Sequence, residues 1–272
     1  MRRLAGADVA RLVALAAIWG ASFYFYRILV PVLGPVVTAA ARVIIGGLAL
    51  VAWLRFIRVD GELTRHGRHY AVIGVLNSAI PFALFAWAAL TLPASYSAIL
   101  NATAPLFSAL LGAAWLGERF TLRKLAAIAV GMAGVALVTR AGPLVVDARV
   151  LLATGACLAA TFCYAATGVY VKRHASAAPP RGIAAWSQVA AGAVLLPLLP
   201  VVPPTGPVTP AVVAAALALA LLCSSVAYVL YFRLMADLGP TRTMAVTFLI
   251  PVFGILWGVL FLGESVTARL LA

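Results

Sequence analysis

The 272-residue sequence has few charged side chains. Asp, Glu, Lys and Arg make up only 10% of it, whereas 65% of its residues are hydrophobic. A water-soluble domain is about one quarter charged and about half apolar. The imbalance argues against an ordinary soluble fold and predicts a protein embedded in lipid. The net charge of +13 is spread between apolar runs. It therefore forms no basic face for nucleic acid.

Cysteine, histidine and carboxylate side chains are scarce, and they are not placed where metal binding, proton transfer or catalysis inside a membrane would need them. The three cysteines lie inside apolar runs without metal-ligand spacing, which excludes a disulfide framework and a metal site. All seven acidic residues and all three histidines fall at termini, span ends or loops. Proton relays and cation sites need such groups at membrane depth, and a membrane enzyme needs a catalytic constellation there. The sequence predicts a protein that is not an enzyme and needs no cofactor. Facilitated diffusion down a substrate gradient is the simplest way to drive transport through it.

Long apolar runs fill most of the chain. A membrane-spanning helix needs about 20 apolar residues, and nine runs qualify: 11–31, 35–56, 70–91, 95–116, 122–140, 150–171, 182–200, 211–235 and 240–262. The connections are too short for a soluble domain. The prediction is an all-α polytopic membrane protein.

Basic residues set the expected orientation. With a cytoplasmic N-terminus, inside ends and loops hold 15 of the 20 basic residues and outside ends hold 4, while Arg42 lies within a span. Basic loops remain on the cytoplasmic side. The sequence therefore predicts a multi-pass membrane protein with its N-terminus on the cytoplasmic side.

The sequence contains an internal repeat. PLFSALLGAAWLGERFT at 105–121 and PVFGILWGVLFLGESVT at 251–267 share eight of 17 positions at an offset of 146 residues, including paired proline, glycine and glutamate. This predicts a first five-helix unit at 1–140. A second unit at 147–272 lacks most of its last helix, which should begin near Thr267, and we interpret the chain as truncated there. Because five is odd, the second unit runs inverted, as in many transporters.

The repeat offset pairs polar residues inside the spans. Asn77 and Ser78 correspond to Cys223 and Ser224, and Arg42 corresponds to Gln188. Ser97 and Asn101 lie four residues apart on one helix face, and Thr243 and Thr247 repeat that arrangement before Pro251. Two interpretations stay open: these groups line a central cavity, or they bond their own backbone and join helices.

The aromatic side chains of the spans also have two interpretations: they form the wall of a cavity, or they form a belt at the membrane interface. Arg42 lies two turns into its span, where it either extends to the outer surface or attracts an anionic group. The predicted substrate-binding residues are Trp19, Asn77, Ser78, Phe82, Tyr96, Ser97, Asn101, Tyr164, Ser224, Tyr228, Thr243, Thr247 and Phe248, with Arg42 as an anion contact and Pro105 and Pro251 as hinges.

Small residues and glutamates in the repeated segment indicate structural roles. Ser108 and Gly112 correspond to Gly254 and Gly258, and such spacing predicts close packing of the fourth span on the ninth. Glu118 and Glu264 precede new helices, where a negative charge is favourable. Thr121 and Thr267 are the expected caps of those helices.

The chain resembles the drug/metabolite transporter superfamily, in particular its ten-helix EamA-type members. The resemblance rests on Trp19-Gly20, Arg42 and the two Pro…Gly-Glu segments ending at Glu118 and Glu264. It implies a basket of helices one, three, four, six, eight and nine around a central cavity, with the fifth and tenth helices peripheral.

The chain is similar to bacterial inner-membrane exporters of amino acids, including aromatic ones. The resemblance implies a small-molecule substrate, a lipid bilayer as partner, no nucleic acid, and a monomer or homodimer. The alternatives are a drug or nucleotide-sugar carrier of the same superfamily, and a structural or receptor bundle.

Overall fold

The computed structural model describes residues 6–117, 126, 130, 147–238, 243 and 246–265. In these ranges the chain is helical and contains no strand. The first half comprises α1 Gly6–Leu33, α2 Pro35–Phe56, α3 Leu63–Gly74, α4 Ile80–Ala88, α5 Ala94–Asn101 and α6 Ala104–Leu116. The second half comprises α7 Ala148–His174, α8 Pro180–Leu195, α9 Pro210–Ala220, α10 Ala227–Leu238 and α11 Val246–Leu262.

Several of these helices join end to end into longer rods. A π-helical segment, Val75–Ala79, connects α3 to α4, and a second one, Leu221–Val226, connects α9 to α10. A 3₁₀ segment, Leu196–Val201, extends α8. Seven rods are long and apolar enough to cross a membrane: Gly6–Leu33, Pro35–Phe56, Leu63–Ala88, Ala94–Leu116, Ala148–His174, Pro180–Val201 and Pro210–Leu238.

The rods confirm the predicted all-α polytopic membrane fold. With the shorter apolar helix Val246–Leu262, they correspond to eight of the nine predicted spans. The predicted span 122–140 lies outside the described residues apart from Ala126 and Val130, as do Glu118, Thr121 and Thr267. The third rod begins at Leu63 instead of residue 70, because its first turns are polar and hydropathy alone does not reveal them.

Ion pairs tie rod ends together, as expected for acids placed at span ends. Arg11 lies 3.3 Å from Asp8 on its own helix and 3.2 Å from Asp237 on α10. Arg233 reaches the same Asp237 carboxylate at 2.9 Å. These contacts fix the start of α1 against the end of α10.

Glycines allow the closest helix crossings. A Cβ added at Gly20 of α1 would lie 2.8 Å from the Cβ of Phe253 and 2.9 Å from the backbone nitrogen of Gly254 on α11. A Cβ at Gly254 would in turn collide with Ala98 of α5. Backbones in lipid pack this closely through small residues. The fourth and ninth spans thus meet at Ala98 and Gly254, whereas Ser108, which was predicted to lie in this seam, is exposed.

Gly20→Ala should lower the thermal stability of the purified protein in detergent, by about 1–3 kcal/mol in free energy of unfolding, because the added methyl overpacks a rigid crossing. Gly155→Ala is the matched control, since a Cβ there meets nothing within 4 Å. Equal melting temperatures for the two variants would contradict the packing described here.

Candidate functional site

The two π-helical segments lie at equivalent positions of the repeat. They begin at Val75 and Leu221, which are 146 residues apart. π-Helical turns are rare, and they frequently mark functional sites because they disturb the regular backbone hydrogen bonds. The first segment carries Asn77 and Ser78, and the second carries Cys223 and Ser224. The sequence pairs these residues but carries no signal for the π geometry.

Arg42 of α2 lies at the centre of a polar cluster and is only 5% exposed. Its Nε donates to the Ser224 hydroxyl at 3.1 Å, Nη1 donates to the Tyr26 hydroxyl at 2.7 Å, and Nη2 donates to the Cys223 carbonyl at 3.3 Å. The guanidinium carbon lies 3.9 Å from the centre of the Phe82 ring, which is a cation–π contact. Of the two interpretations of Arg42, extension to the outer surface does not hold, because acceptors on α1 and the second π segment keep the side chain inside.

Every hydrogen-bond acceptor of Arg42 is electrically neutral. In the described part of the chain, no carboxylate forms an ion pair with it. Guanidinium carries five N–H donors, and three nitrogen-to-acceptor bonds leave two donors unused. A buried cation without an anion is costly at membrane depth. The arrangement is therefore suited to receive an anionic group from outside the protein.

Gln188 of α8 is the repeat equivalent of Arg42. Its side chain is fully buried, and it faces the Tyr228 hydroxyl together with Asn77 and Ser78. Asn77 Nδ2 donates to that hydroxyl at 3.4 Å. Both amide atoms of Gln188 and the Ser78 hydroxyl lack a partner of good hydrogen-bond geometry. Native proteins leave few buried polar atoms unsatisfied, so these groups require an explanation.

Aromatic rings form one side of this cluster. Trp19 packs edge-on against Tyr228 with ring centres 6.4 Å apart, and Tyr164 stacks on Phe85 at 6.3 Å. Trp19, Asn77, Tyr164 and Tyr228 are each only half-buried, so accessible surface remains beside the polar groups. Aromatic surface next to a few fixed polar groups is typical of a small-ligand site.

The structure thus brings together about half of the residues predicted for the site. They are Trp19, Arg42, Asn77, Ser78, Phe82, Tyr164, Ser224 and Tyr228. Sequence reasoning missed Tyr26 and did not count Gln188 as a site residue. The repeat offset was the one available signal for Gln188, since it maps onto Arg42.

Other predicted residues lie elsewhere. Ser97 is buried beside Cys157 of α7, and Tyr96 lies near Glu264 at the start of α5. Thr243 is buried and Thr247 is half-buried. Phe248 is 67% exposed, so it does not belong to the inner wall predicted for it, because α11 turns Ile250 and Gly254 inward instead.

The two predicted hinge prolines differ in their surroundings. At Pro105 the rod is interrupted, since α5 ends at Asn101 and α6 begins at Ala104. Pro251 lies inside the continuous helix α11. The repeated proline therefore accompanies a break in one rod and a continuous helix in the other.

Glu264 caps the N-terminus of α5 across the repeat. Its Oε1 accepts the Ala94 backbone N–H at 2.6 Å, and Oε2 accepts the Ser95 N–H at 3.1 Å and the Ser95 hydroxyl at 2.7 Å. These donors have no partner within the helix, and the positive end of the dipole favours the carboxylate. The sequence assigned Glu264 to the helix that follows it. The structure adds a partner that this prediction did not include, because folding brings the start of α5 to the carboxylate from 169 residues away; the residues after 265 lie outside the described ranges.

Comparison with known proteins agrees with this architecture. The model of the EamA-like transporter family matches residues 9–140 and again 151–272. The chain belongs to the EamA-like transporter family. This EamA-family chain is 27% identical over 260 residues to a probable terminal-alkyne amino-acid exporter of Streptantibioticus cattleyicolor, covering 93% of this chain and 84% of the relative.

Two further similarities extend over nearly the whole EamA-family chain. It is 26% identical over 280 residues to the uncharacterized transporter YvbV of Bacillus subtilis, covering 100% of this chain and 90% of the relative. A crystal structure of a protein at 18% identity superposes with a TM-score of 0.68, covering 98% of this chain and 92% of the other. At that identity the match shows the fold alone.

Tyr26→Phe should destabilise the EamA-family protein by about 1.5–3 kcal/mol, because a hydrogen bond to a charged group is lost. Tyr24→Phe is the matched control on the same helix, where the ring packs against Phe25 and Phe261. Thermal unfolding in detergent measures both. A Tyr26 variant as stable as the Tyr24 variant would contradict the role of the phenol in holding Arg42.

Glu264→Ala should cost about 1–2 kcal/mol of stability, since a helix cap is removed. The cap binds two backbone N–H groups and one hydroxyl. Thr209→Ala serves as comparison, because that exposed cap binds a single N–H at 3.4 Å and should cost less. Equal losses in thermal unfolding would show that the cross-repeat cap adds nothing beyond an ordinary one.

Proposed function

We propose that this protein exports small amphipathic metabolites, specifically neutral or aromatic amino acids, across the bacterial inner membrane. The observation that carries the proposal is Arg42, a buried cation whose partners are all neutral. It lies within the rods, beside half-buried aromatic rings. An amino acid supplies the two things this environment lacks: a carboxylate for the cation and an apolar side chain for the rings.

The name of one relative supports the same substrate class. The Streptantibioticus cattleyicolor protein is described as a probable amino-acid exporter, at 27% identity. In this chain, the carboxylate would take the unused donors of Arg42, and the side chain would lie against Trp19, Tyr164 and Tyr228. Bidentate recognition of a planar carboxylate is what guanidinium does well.

Alternating access would follow from two inverted units. The units 1–140 and 147–272 would rock against each other about the central cluster, with Pro105 and Pro251 as hinges and the N-terminus in the cytoplasm. Within the described rods, Asp, Glu and His lie near the ends, at positions such as Asp8, His66 and Asp237. A proton relay through the middle needs such a group there. The substrate gradient would therefore drive export.

The alternative is a drug or nucleotide-sugar carrier of the same superfamily. A nucleotide sugar carries a diphosphate, which calls for several inward basic groups. Among the described residues, Arg42 supplies the one basic side chain of the polar cluster. One guanidinium matches one carboxylate better than two phosphates, and this favours the amino acid.

Counterflow in proteoliposomes tests the proposal. Vesicles loaded with unlabelled phenylalanine should accumulate radiolabelled phenylalanine without a pH or ion gradient, and excess unlabelled substrate should compete. Arg42→Gln should reduce uptake at least about tenfold, the loss expected for one hydrogen bond to a charged group. Asn101→Ala tests whether the predicted site extends along α5.

Arg149→Gln is the matched control, because this arginine is exposed at the start of α7. Its uptake should equal that of wild type. Uptake by Arg42→Gln at the wild-type level would remove Arg42 from the site. If folded wild-type protein transports no amino acid, the proposed export of amino acids is wrong. That result would favour the alternative, a drug or nucleotide-sugar carrier.

A further inference from the structure

Gln188 and Arg42 occupy equivalent places on two closely packed helices. They are 146 residues apart, on α8 and α2. A Cβ added at Gly47, between these helices, would lie 3.0 Å from the Gln188 Cβ. Arg42 binds Ser224 at 3.1 Å, and Gln188 faces Tyr228 four residues later. The two side chains therefore reach adjacent turns of one rod.

The hydrogen-bonding groups of the pair are complementary. Arg42 has unused N–H donors, and it carries a positive charge. Gln188 presents an amide oxygen and an amide nitrogen, both fully buried and without a partner of good hydrogen-bond geometry among the described residues. An amide oxygen accepts hydrogen bonds. It can therefore bind a cationic N–H donor, which the positive charge of Arg42 would repel. A ligand with a carboxylate and an adjacent ammonium meets both demands.

Few other acceptors are available for an ammonium at this place. The described cluster holds no carboxylate that could pair with it. The Tyr228 hydroxyl already accepts from Asn77 Nδ2 at 3.4 Å, and the Ser224 hydroxyl accepts from Arg42. Among the described residues of the cluster, the buried acceptors without a partner of good hydrogen-bond geometry are the Gln188 oxygen and the Ser78 hydroxyl. The amide oxygen carries no hydrogen and can only accept, and the nearby rings of Trp19 and Tyr228 offer their faces to a cation.

We propose that Gln188 binds the α-amino group of the amino acid whose carboxylate is held by Arg42. This assignment rests on the proposed export of amino acids and adds a head-group specificity to it. The site would select the zwitterion. A ligand without the amino group would keep the Arg42 contact and bind more weakly, and an amine without the carboxylate would place a second cation beside Arg42.

Competition against radiolabelled phenylalanine counterflow tests the assignment in wild type. Unlabelled phenylalanine should inhibit best, and 3-phenylpropionate, which lacks the amino group, should be about tenfold weaker because one charged hydrogen bond is missing. Phenethylamine, which lacks the carboxylate, should not compete measurably. Equal inhibition by phenylalanine and 3-phenylpropionate would overturn the role of Gln188 even without a variant.

Gln188→Met then isolates the contact, because methionine keeps the size of glutamine without its polar atoms. Phenylalanine should inhibit about tenfold less well than in wild type, while 3-phenylpropionate should be unchanged. Ser187→Ala, at the neighbouring buried position, should leave both constants at wild-type values. Equal weakening of both ligands by Gln188→Met would show a packing role instead and overturn the assignment.

The two levels of the proposal fail in different ways. No phenylalanine counterflow by folded wild-type protein would end the proposed export, and the Gln188 assignment with it. Active counterflow without discrimination between phenylalanine and 3-phenylpropionate would leave export standing and remove the amino-group contact alone.

Discussion

A guanidinium buried among neutral acceptors is the constraint around which the centre of this bundle is organised. Arg42 can stay inside only because α1 contributes a phenol and the second π segment contributes a hydroxyl and a carbonyl. The Phe82 ring then covers one face of the cation at 3.9 Å. Three other rods thereby contact one side chain of α2. The positive charge itself remains unneutralised by the described residues, and the proposed binding of a substrate carboxylate rests on this.

Helix packing places those rods close enough for such contacts. Lipid supplies no hydrophobic force between helices, so close approach depends on small residues. Gly20 and Gly254 let α1 meet α11, and Gly47 brings α2 against α8 beside Gln188. The Glu264 cap adds a polar link between the second repeat and α5. Packing and polar contacts thus act on the same rods, and both act across the boundary between the two matches of the family model.

Much of the fold could be predicted, because apolar run length is a local property. Eight predicted spans correspond to the seven described rods and the shorter helix α11, and α2 has the predicted bounds Pro35–Phe56. The site could be predicted only in part. Asn77, Ser78 and Ser224 followed from the repeat offset, whereas Phe248 was placed on the wrong side, since periodicity does not say which face of an all-apolar helix turns inward. The partner of Glu264 could not be predicted either, because it lies 169 residues away along the chain.

The sequence by itself determined the membrane environment, the spans and the 146-residue repeat, since these depend on composition and spacing along the chain. Tertiary structure decided what the polar residues do. It turned Arg42 inward, where the side chain donates to Tyr26, Ser224 and Cys223, and it left the Gln188 amide without a partner of good hydrogen-bond geometry among the described residues. The physical reason is that burial and hydrogen bonding are properties of neighbours in space. Neighbours on different rods are set by helix packing and π-helical geometry, which a hydropathy pattern does not encode.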